Sequence, residues 1–311
     1  MDYTNLTKEQ YIELWEKPVE ELIKIASDIT KANFSNEVDS CSIISAKTGA
    51  CSENCKYCAQ SSHNHAEIEC HPLLDVDTVV KAAISAKENG ATRFGIVTSG
   101  KTPTKKDFES ILEMVKAVTK IDGLDCCVSV GILTEDEVIQ LKNAGIKRIH
   151  HNLNTSERYY KEICSTHKFE ERVQTVKLIK KHGLEACCGV IIGMGETLED
   201  RIDMAFSIRE LNPETVPMNL LNPIKNTPFE SYADKITEEE ILKTICLFRM
   251  ILPKAKLKYA GGRTTRLSEE NQKKGMIAGI NSIMVGNLLT TKGSNIADDT
   301  EMLKELNLVM V

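Results

Sequence analysis

The chain has 311 residues, of which 27% are charged and 5% aromatic, and its formal net charge is -6 at pH 7. It has no apolar run long enough to span a bilayer, and its first twenty residues are too polar for a secretory signal. An acidic chain also argues against nucleic acid as a partner. Eleven cysteines are too sparse for a disulfide scaffold, and their clustering indicates thiolates kept reduced for metals. These features predict a cytoplasmic protein without a membrane or nucleic-acid partner.

Apolar, β-rich segments alternate with helical patterns along the chain, which is typical of βα units around a parallel sheet. We expect residues 1–38 to form an N-terminal helical extension, residues 39–290 a barrel and residues 291–311 a C-terminal segment. In residues 75–88, apolar side chains recur at helical spacing. Eight strand segments predict one α/β domain, a (β/α)8 TIM-type barrel with its active site at the C-terminal ends of the strands. The predicted strands begin near Cys41, Thr92, Leu124, Arg148, Leu184, Thr215, Lys256 and Ser282.

Three cysteines lie close together directly after the first predicted strand. Cys51, Cys55 and Cys58 have C-x3-C-x2-C spacing. A structural zinc site uses four ligands, whereas a 4Fe-4S cluster held by three cysteines keeps one iron open for a small molecule. The spacing therefore favours a 4Fe-4S cluster, and the position of the loop places this cluster above the barrel mouth. A zinc site completed by His63 or His65 is the alternative.

The cysteine loop and its flanks resemble the biotin synthase family of the radical S-adenosylmethionine (SAM) superfamily. The flanking segments are residues 47–50 and 60–61, and the likeness continues over nearly the whole chain. Further matching segments follow in the family's order at residues 92–94, 151–153, 193–197, 216–219, 281–283 and 288–291.

This resemblance implies a reaction in two rounds. Cys51, Cys55 and Cys58 are expected to hold the 4Fe-4S cluster that binds SAM, and reduction then yields methionine and a 5′-deoxyadenosyl radical. Two such radicals activate two carbons of dethiobiotin, and sulfur from an auxiliary iron-sulfur cluster closes the ring of biotin. The resemblance also implies a flavodoxin or ferredoxin as reductant, and a homodimer.

The chain departs from the commonest family pattern at the auxiliary cluster. That pattern has three cysteines and an arginine around a 2Fe-2S cluster. Cys127 and Cys187 match two of the cysteines, but Gly95 and Lys258 occupy the other two positions. Cys41, where the family more often has serine, offers a replacement thiol. Alternate strands of a barrel contribute to one interior layer, so Cys41, Cys127, Cys187 and Lys258 are predicted to lie together.

We interpret these four residues as candidate catalytic residues. Our hypothesis is that the three thiolates bind a second cubane cluster whose open iron carries an extra sulfide, while the Lys258 ammonium offsets its negative charge. Free buried thiols are the alternative. Strand alternation predicts that the neighbouring Cys126 and Cys188 pack beneath helices. No motif surrounds Cys70 or Cys164, and both are left without a role.

The resemblance further implies the positions that bind cofactor and substrate. Glycines in the turn after the fifth strand permit close backbone approach to SAM. Asparagine amides supply both donors and acceptors for the cyclic urea of dethiobiotin, and two threonines after the last strand suit its carboxylate. The expected SAM-binding residues are Tyr57, Asn152, Asn154, Arg172, Gly193, Gly195 and Glu196. The expected substrate-binding residues are Lys47, His150, Asn152, Asn219, Thr290 and Thr291.

Two other functions stay open on the sequence. Gly95 and Lys258 are compatible with another radical SAM enzyme of the biotin-synthase-like branch that inserts no sulfur. A non-catalytic iron-sulfur carrier or redox sensor is the second alternative, and it would need neither SAM nor substrate positions. Formation of 5′-deoxyadenosine distinguishes an enzyme from a carrier, and formation of biotin distinguishes the two enzymes.

Overall fold

A closed barrel of parallel strands forms the centre of the computed structural model, which describes residues 2–286, 294 and 296–311. Strands that are neighbours around the barrel pair in parallel, and the strand Ile280–Met284 pairs with the strand Glu37–Lys47, which closes the barrel. Eight strand positions are present, as predicted. In chain order the strands are β1 (Glu37–Lys47), β2 (Arg93–Thr98), β3 (Asp125–Ser129), β4 (Arg148–His150), β5 (Glu185–Cys187), β6 (Val190–Ile192), β7 (Thr215–Leu220), β8 (Lys256–Tyr259) and β9 (Ile280–Met284).

The fifth barrel position is shared by β5 and β6, which both pair with β7 in one register. We predicted a single strand here, and the structure interrupts it at residues 188–189. Gly189 lies so close to Pro217 of β7 that an added Cβ would be 2.1 Å from the Pro217 carbonyl oxygen. Glycine therefore allows the two backbones to approach, beside a proline that has no N–H to offer the ladder.

Helices cover the outside of the barrel. The helix predicted in residues 75–88 is present, with Asp75 as its N-cap and with Val79 and Ala83 buried. Thr197 and Thr237 begin later helices through capping boxes. The outer helices are α3 (Val76–Glu88), α4 (Lys105–Val118), α5 (Glu135–Asn143), α6 (Glu157–Ile163), α7 (Phe169–Lys181), α8 (Leu198–Leu211), α9 (Glu238–Ile251), α10 (Arg263–Arg266) and α11 (Glu269–Ala278).

The chain ends pack onto this framework. At the N-terminus, α1 (Lys8–Trp15) contacts α8, and α2 (Val19–Asn33) lies against α9 and α11. Near the C-terminus, α12 (Ile296–Glu305) leads into β10 (Val309–Met310), which pairs with the first residues of β1. Complete burial of an apolar side chain such as Leu22 contributes about 1.5–3 kcal/mol. Within the described ranges, no helix has the length and apolar character needed to cross a bilayer.

Candidate functional site

The loop after β1 brings its three cysteines to one cavity beyond the C-terminal end of that strand. Cys51, Cys55 and Cys58 line this cavity, whose volume is about 150 Å³. The Cys51 N–H donates to the Gln60 carbonyl at 3.0 Å, and Asn64 Nδ2 donates to the carbonyls of Cys55 and Cys58 at 3.1 and 2.8 Å. These hydrogen bonds within the loop fix the backbone that carries the three thiols.

Gly49 sets the direction in which the chain enters this loop. Its φ angle is +80°, a region that glycine adopts without steric cost. An added Cβ would lie 2.2 Å from Cys70 Sγ, so a larger residue would also collide with the returning chain. The backbone angle and the close approach of Cys70 therefore both require glycine at position 49, which lies in the flank that resembles the family.

Four of the expected SAM-binding residues lie around the same cavity. Tyr57 and Arg172 line it directly. Asn154 Nδ2 donates to Tyr57 Oη at 2.9 Å, and Arg172 Nη1 donates to the Asn152 carbonyl at 3.0 Å. Burial raises the pKa of Tyr57 well above its ordinary value, so its hydroxyl stays a neutral hydrogen-bonding group.

The turn after β6 contains the other three expected SAM-binding residues. Gly193 and Gly195 have φ angles of +93° and +97°. The Glu196 carboxylate accepts hydrogen bonds from the N–H groups of Gly193 and Met194 at 2.8 and 2.7 Å, and from Arg201 Nε at 3.0 Å. Glu196 therefore stabilises its own turn, and none of the three lines the cavity of the cysteine loop. Their contact with SAM stays a prediction.

Three more cysteines converge inside the barrel. Cys41 on β1, Cys127 on β3 and Cys187 on β5 are all buried, and together with Lys258 on β8 they line a cavity of about 250 Å³. We term this the lumen cavity. A hydrogen bond from the Cys127 thiol lowers the pKa of Cys41 well below its ordinary value, with the Lys258 charge assisting. The same contact raises the pKa of Cys127, so the pair favours one thiolate over two.

The ammonium of Lys258 is retained inside the barrel. Burial alone would lower its pKa, but the neighbouring cysteines, Cys41 above all, outweigh burial and raise it. The predicted layer therefore pairs the Cys41 thiolate with the Lys258 ammonium.

Two arginines that the sequence analysis did not assign to the interior also line the lumen cavity. Arg148 Nε donates to Glu185 Oε2 at 2.7 Å, while its Nη1 is buried without a partner in the described structure. Arg93 Nη1 donates to Asp125 Oδ2 at 3.0 Å. Both residues lie two positions before an interior residue of their strands. The period-two alternation of a strand could therefore have revealed them.

His150 faces the thiols of the lumen cavity. Its Nδ1 lies 3.2 Å from Cys187 Sγ. Burial lowers the pKa of His150 to about 4, and the nearby Lys258 charge acts in the same direction. The ring is therefore neutral at physiological pH and positioned to hydrogen-bond to sulfur.

Two expected substrate-binding asparagines also line the lumen cavity. Asn152 Oδ1 accepts from the Gly189 N–H at 2.8 Å, and Asn219 Oδ1 accepts from the Gly261 N–H at 3.0 Å. These bonds fix how each amide is turned at its strand end. Lys47 is not among the lining residues, because its Nζ pairs with Asp107 Oδ2 at 2.7 Å. Thr290 and Thr291 lie outside the described residues.

Comparison with known proteins identifies the family. Residues 46–208 match the Radical SAM superfamily, and residues 217–309 match the Biotin and Thiamin Synthesis associated domain. The chain is 48% identical over 305 residues to the biotin synthase of Acetivibrio thermocellus, which covers 97% of this chain and 94% of that protein. It is 43% identical over 303 residues to the biotin synthase of Clostridium perfringens, and the match covers 97% of this chain and 94% of that protein.

The chain belongs to the biotin synthase family.

Solved structures with a similar fold support the barrel assignment. Methylornithine synthase superposes with a TM-score of 0.85 at 19% identity, covering 99% of this chain and 94% of that chain. A maturase of the FeFe-hydrogenase from Carboxydothermus hydrogenoformans gives a TM-score of 0.85 at 18% identity, with coverage of 98% and 76%. At these identities the likeness shows the fold alone. The predicted TIM-type barrel and the predicted family are thus both confirmed.

The residues of this family member fit the cofactors that radical SAM membership implies. Such a member uses a 4Fe-4S cluster and SAM, and three thiols line the cavity of the loop that carries the family's cysteine spacing. His63, offered above as a zinc ligand, instead places its Nε2 3.0 Å from the Ser52 carbonyl. The cysteine loop therefore fits the cluster better than a closed zinc site.

Cys164 lies beside the cysteine loop, which no sequence motif indicated. Its Sγ, the Cys55 Sγ and a ring nitrogen of His167 all lie within 4.8 Å of one another. Cys126 and Cys188 pack in the apolar core, as strand alternation predicted. The position of Cys164 depends on how two distant loops meet, so the sequence offered no signal for it.

Proposed function

We propose that this chain inserts sulfur into dethiobiotin to form biotin, and that the sulfur comes from an auxiliary iron-sulfur cluster held in the lumen cavity. The observation that carries this proposal is the convergence of Cys41, Cys127, Cys187 and Lys258 on one buried cavity in a member of the biotin synthase family. A carrier or sensor would have no need of the polar strand ends above this layer.

At the barrel mouth, Cys51, Cys55 and Cys58 hold the 4Fe-4S cluster of this proposal. With SAM bound, that cluster supplies the radical chemistry that removes hydrogen from unactivated carbons. The chain itself contributes orientation and the exclusion of water. Asn154 and Arg172 brace the walls of the SAM site through Tyr57 and the Asn152 carbonyl, and the turn of Gly193, Gly195 and Glu196 is its proposed outer edge.

In the lumen cavity, the cationic groups favour an anionic occupant, and the three thiols are the candidate ligands of its iron. Among the described residues, Arg148 Nη1 is buried without a hydrogen-bond partner, and Lys258 retains its charge beside the thiols. Gly95, where the commoner pattern has a cysteine, leaves little space for a fourth ligand. A Cβ there would lie 3.0 Å from Ile43 Cγ2 and 3.3 Å from Cys127 Sγ. Because three thiols line this cavity, we propose a cubane with one open iron that carries an extra sulfide rather than a 2Fe-2S cluster.

Dethiobiotin binds between the two clusters in this proposal. Asn152 and Asn219 present their amides to the cavity and suit the donors and acceptors of the ureido ring. His150 faces the lumen thiols, so we propose that it contacts substrate on the side where sulfur is inserted. Thr290 and Thr291 are proposed to bind the carboxylate tail, and Lys47 is proposed as a further substrate-binding residue.

The remaining components of the proposal follow from the family. A flavodoxin or ferredoxin supplies electrons, the protein acts in the cytoplasm, and two chains form a homodimer. The chain works as one domain, with residues 1–38 as extension, 39–290 as barrel and 291–311 as C-terminal segment.

Anaerobic incubation of the reconstituted protein with SAM, a reductant and dethiobiotin tests this function. We expect biotin together with about two 5′-deoxyadenosines per biotin, measured by mass spectrometry. Deoxyadenosine without biotin, from protein that carries both clusters, would reject sulfur insertion. It would instead favour a radical SAM enzyme of the same branch that acts on another substrate.

A further inference from the structure

Two loops of the barrel are joined tightly beside the first cluster site. The Lys56 N–H donates to the Ile163 carbonyl at 2.9 Å. Asn54 Oδ1 accepts from the Ser165 N–H at 2.9 Å, and Asn54 Nδ2 donates to Ser165 Oγ at 2.7 Å. These bonds hold the segment that follows α6 against the cysteine loop. The Cys164 thiol also donates to Asn54 Oδ1 at 3.4 Å, which adds to contacts that backbone and amide groups already make.

Cys164 and Cys55 lie in the wall between two cavities. Cys55 lines the cavity of the cysteine loop, and Cys164 lines an outer cavity of about 400 Å³. His167 lines both. The sulfur atoms of Cys55 and Cys164 lie within 4.8 Å of each other. A small solute that enters the outer cavity therefore reaches a thiol that is adjacent to a cluster ligand.

The hydrogen bonds of His167 argue against a metal ion between these groups. Arg172 Nη2 and Nε lie 2.9 and 3.2 Å from His167 Nε2, and a guanidinium only donates, so Nε2 must accept. Nδ1 therefore carries the proton and donates to the Glu53 carboxylate. A metal would have to displace either that proton or the guanidinium. The two sulfurs remain as the reactive pair.

We propose that Cys164 is a resolving cysteine that forms a disulfide with Cys55 when the chain lacks its first cluster and meets hydrogen peroxide. Peroxide oxidises one sulfur: its O–O bond breaks, an S–O bond forms, and one water leaves, which gives a sulfenic acid. The other thiol attacks that sulfur: the S–S bond forms, the S–O bond breaks, and a second water leaves. Two thiols and one peroxide give one disulfide and two waters.

The disulfide has a protective consequence for the cluster site. A sulfenic acid at Cys55 that finds no second thiol is oxidised by a second hydrogen peroxide to sulfinic acid, with loss of one water, and thiol reductants do not reverse this step. A disulfide with Cys164 stops this oxidation and returns Cys55 to a thiol on reduction. This inference uses the proposed function only in taking Cys55 as a cluster ligand, and its test involves no dethiobiotin.

Peptide mapping of the full chain tests the pairing. Chelated, iron-free protein is treated with equimolar hydrogen peroxide, its free thiols are alkylated, and it is digested with trypsin. Residues 48–56 contain Cys51 and Cys55, and residues 162–168 contain Cys164. We expect these two peptides to be joined in the most abundant disulfide, with fragmentation placing the bond at Cys55 and dithiothreitol removing it.

Matched variants test the protective role. After excess hydrogen peroxide and then dithiothreitol, wild-type protein and Cys70→Ser should rebind the 4Fe-4S cluster, measured by absorbance and iron content. Cys164→Ser should show a loss of rebinding, with sulfinic acid at Cys55. The proposal is overturned if wild-type Cys55 pairs with Cys51 or Cys58, or if it becomes sulfinic acid beside a free Cys164. The peptide map of wild-type protein decides the pairing even where a variant folds poorly.

Discussion

The two thiol sites of this barrel are built in opposite ways. At the mouth, Cys51, Cys55 and Cys58 come from one loop whose own hydrogen bonds fix its backbone. In the lumen, each thiol comes from a different strand, and sheet register brings the three together. The mouth ligands are therefore local to one loop, whereas the lumen site exists only in the closed barrel. This difference predicts that a substitution that removes the cluster from one site leaves the cluster at the other site in place.

The largest effect is expected from a mouth ligand. Cys58→Ala should reduce 5′-deoxyadenosine formation to background, because a cluster with two protein ligands does not support SAM cleavage. The lumen cluster should remain, since its ligands lie on other elements. Iron analysis and a deoxyadenosine assay check both statements. Loss of all iron from this variant would show that the two sites are not independent.

Removal of a lumen ligand should separate radical formation from sulfur insertion. Cys41→Ala should abolish biotin formation and lower iron from about eight to about four per chain, while deoxyadenosine formation continues. Cys126→Ala is the matched control, because that thiol packs in the apolar core and should keep both clusters. A Cys41→Ala protein that retains a full second cluster would exclude Cys41 as a ligand.

A smaller effect, on the pH dependence of stability, is expected from the buried imidazole of His150 in the lumen site. The pKa of His150 is about 4 in the folded chain and about 6.5 when unfolded, so the folded state binds fewer protons between these values. The free energy of unfolding of the iron-free protein should therefore fall as pH drops from 7 to 5, by about 1–2 kcal/mol from this group. Urea unfolding at both pH values measures it.

His150→Asn is the variant that isolates this contribution. Asparagine does not titrate, so the variant should lose less stability between pH 7 and pH 5 than wild-type protein loses. The other histidines are common to both proteins and cancel in the difference. Equal losses in the two proteins would mean that the ring is solvated and not held neutral beside Cys187.

The sequence predicted the residues of the mouth site more completely than those of the lumen site. The spacing of Cys51, Cys55 and Cys58 is local, and strand alternation correctly separated Cys127 from Cys126. The same strand alternation places Arg93 and Arg148 on the barrel interior, but it was not applied to them. Their positive charges were therefore not predicted as part of the lumen cavity. The barrel itself followed from the periodicity of its strands and helices. The break between β5 and β6 did not, because it depends on the close approach of a neighbouring strand.

Other features were beyond sequence reasoning for a physical reason. Cys164 reaches the mouth because the segment after α6 is hydrogen-bonded to the cysteine loop, in part through Asn54. The engagement of Glu196 with its own turn likewise depends on the fold of that turn. Contacts of this kind join residues far apart in the chain, or depend on dihedral angles that composition does not encode.

The most direct test of the lumen assignment follows the sulfur atom. Both clusters are reconstituted with ³⁴S-sulfide, excess sulfide is removed, and a single turnover is run in unlabelled buffer with dethiobiotin and SAM. If the lumen cluster donates its sulfide, biotin should contain ³⁴S, and a parallel Cys41→Ala sample, which keeps only the mouth cluster, should form none. Unlabelled biotin, or labelled biotin from Cys41→Ala protein, would contradict a sulfur donor held by Cys41, Cys127 and Cys187.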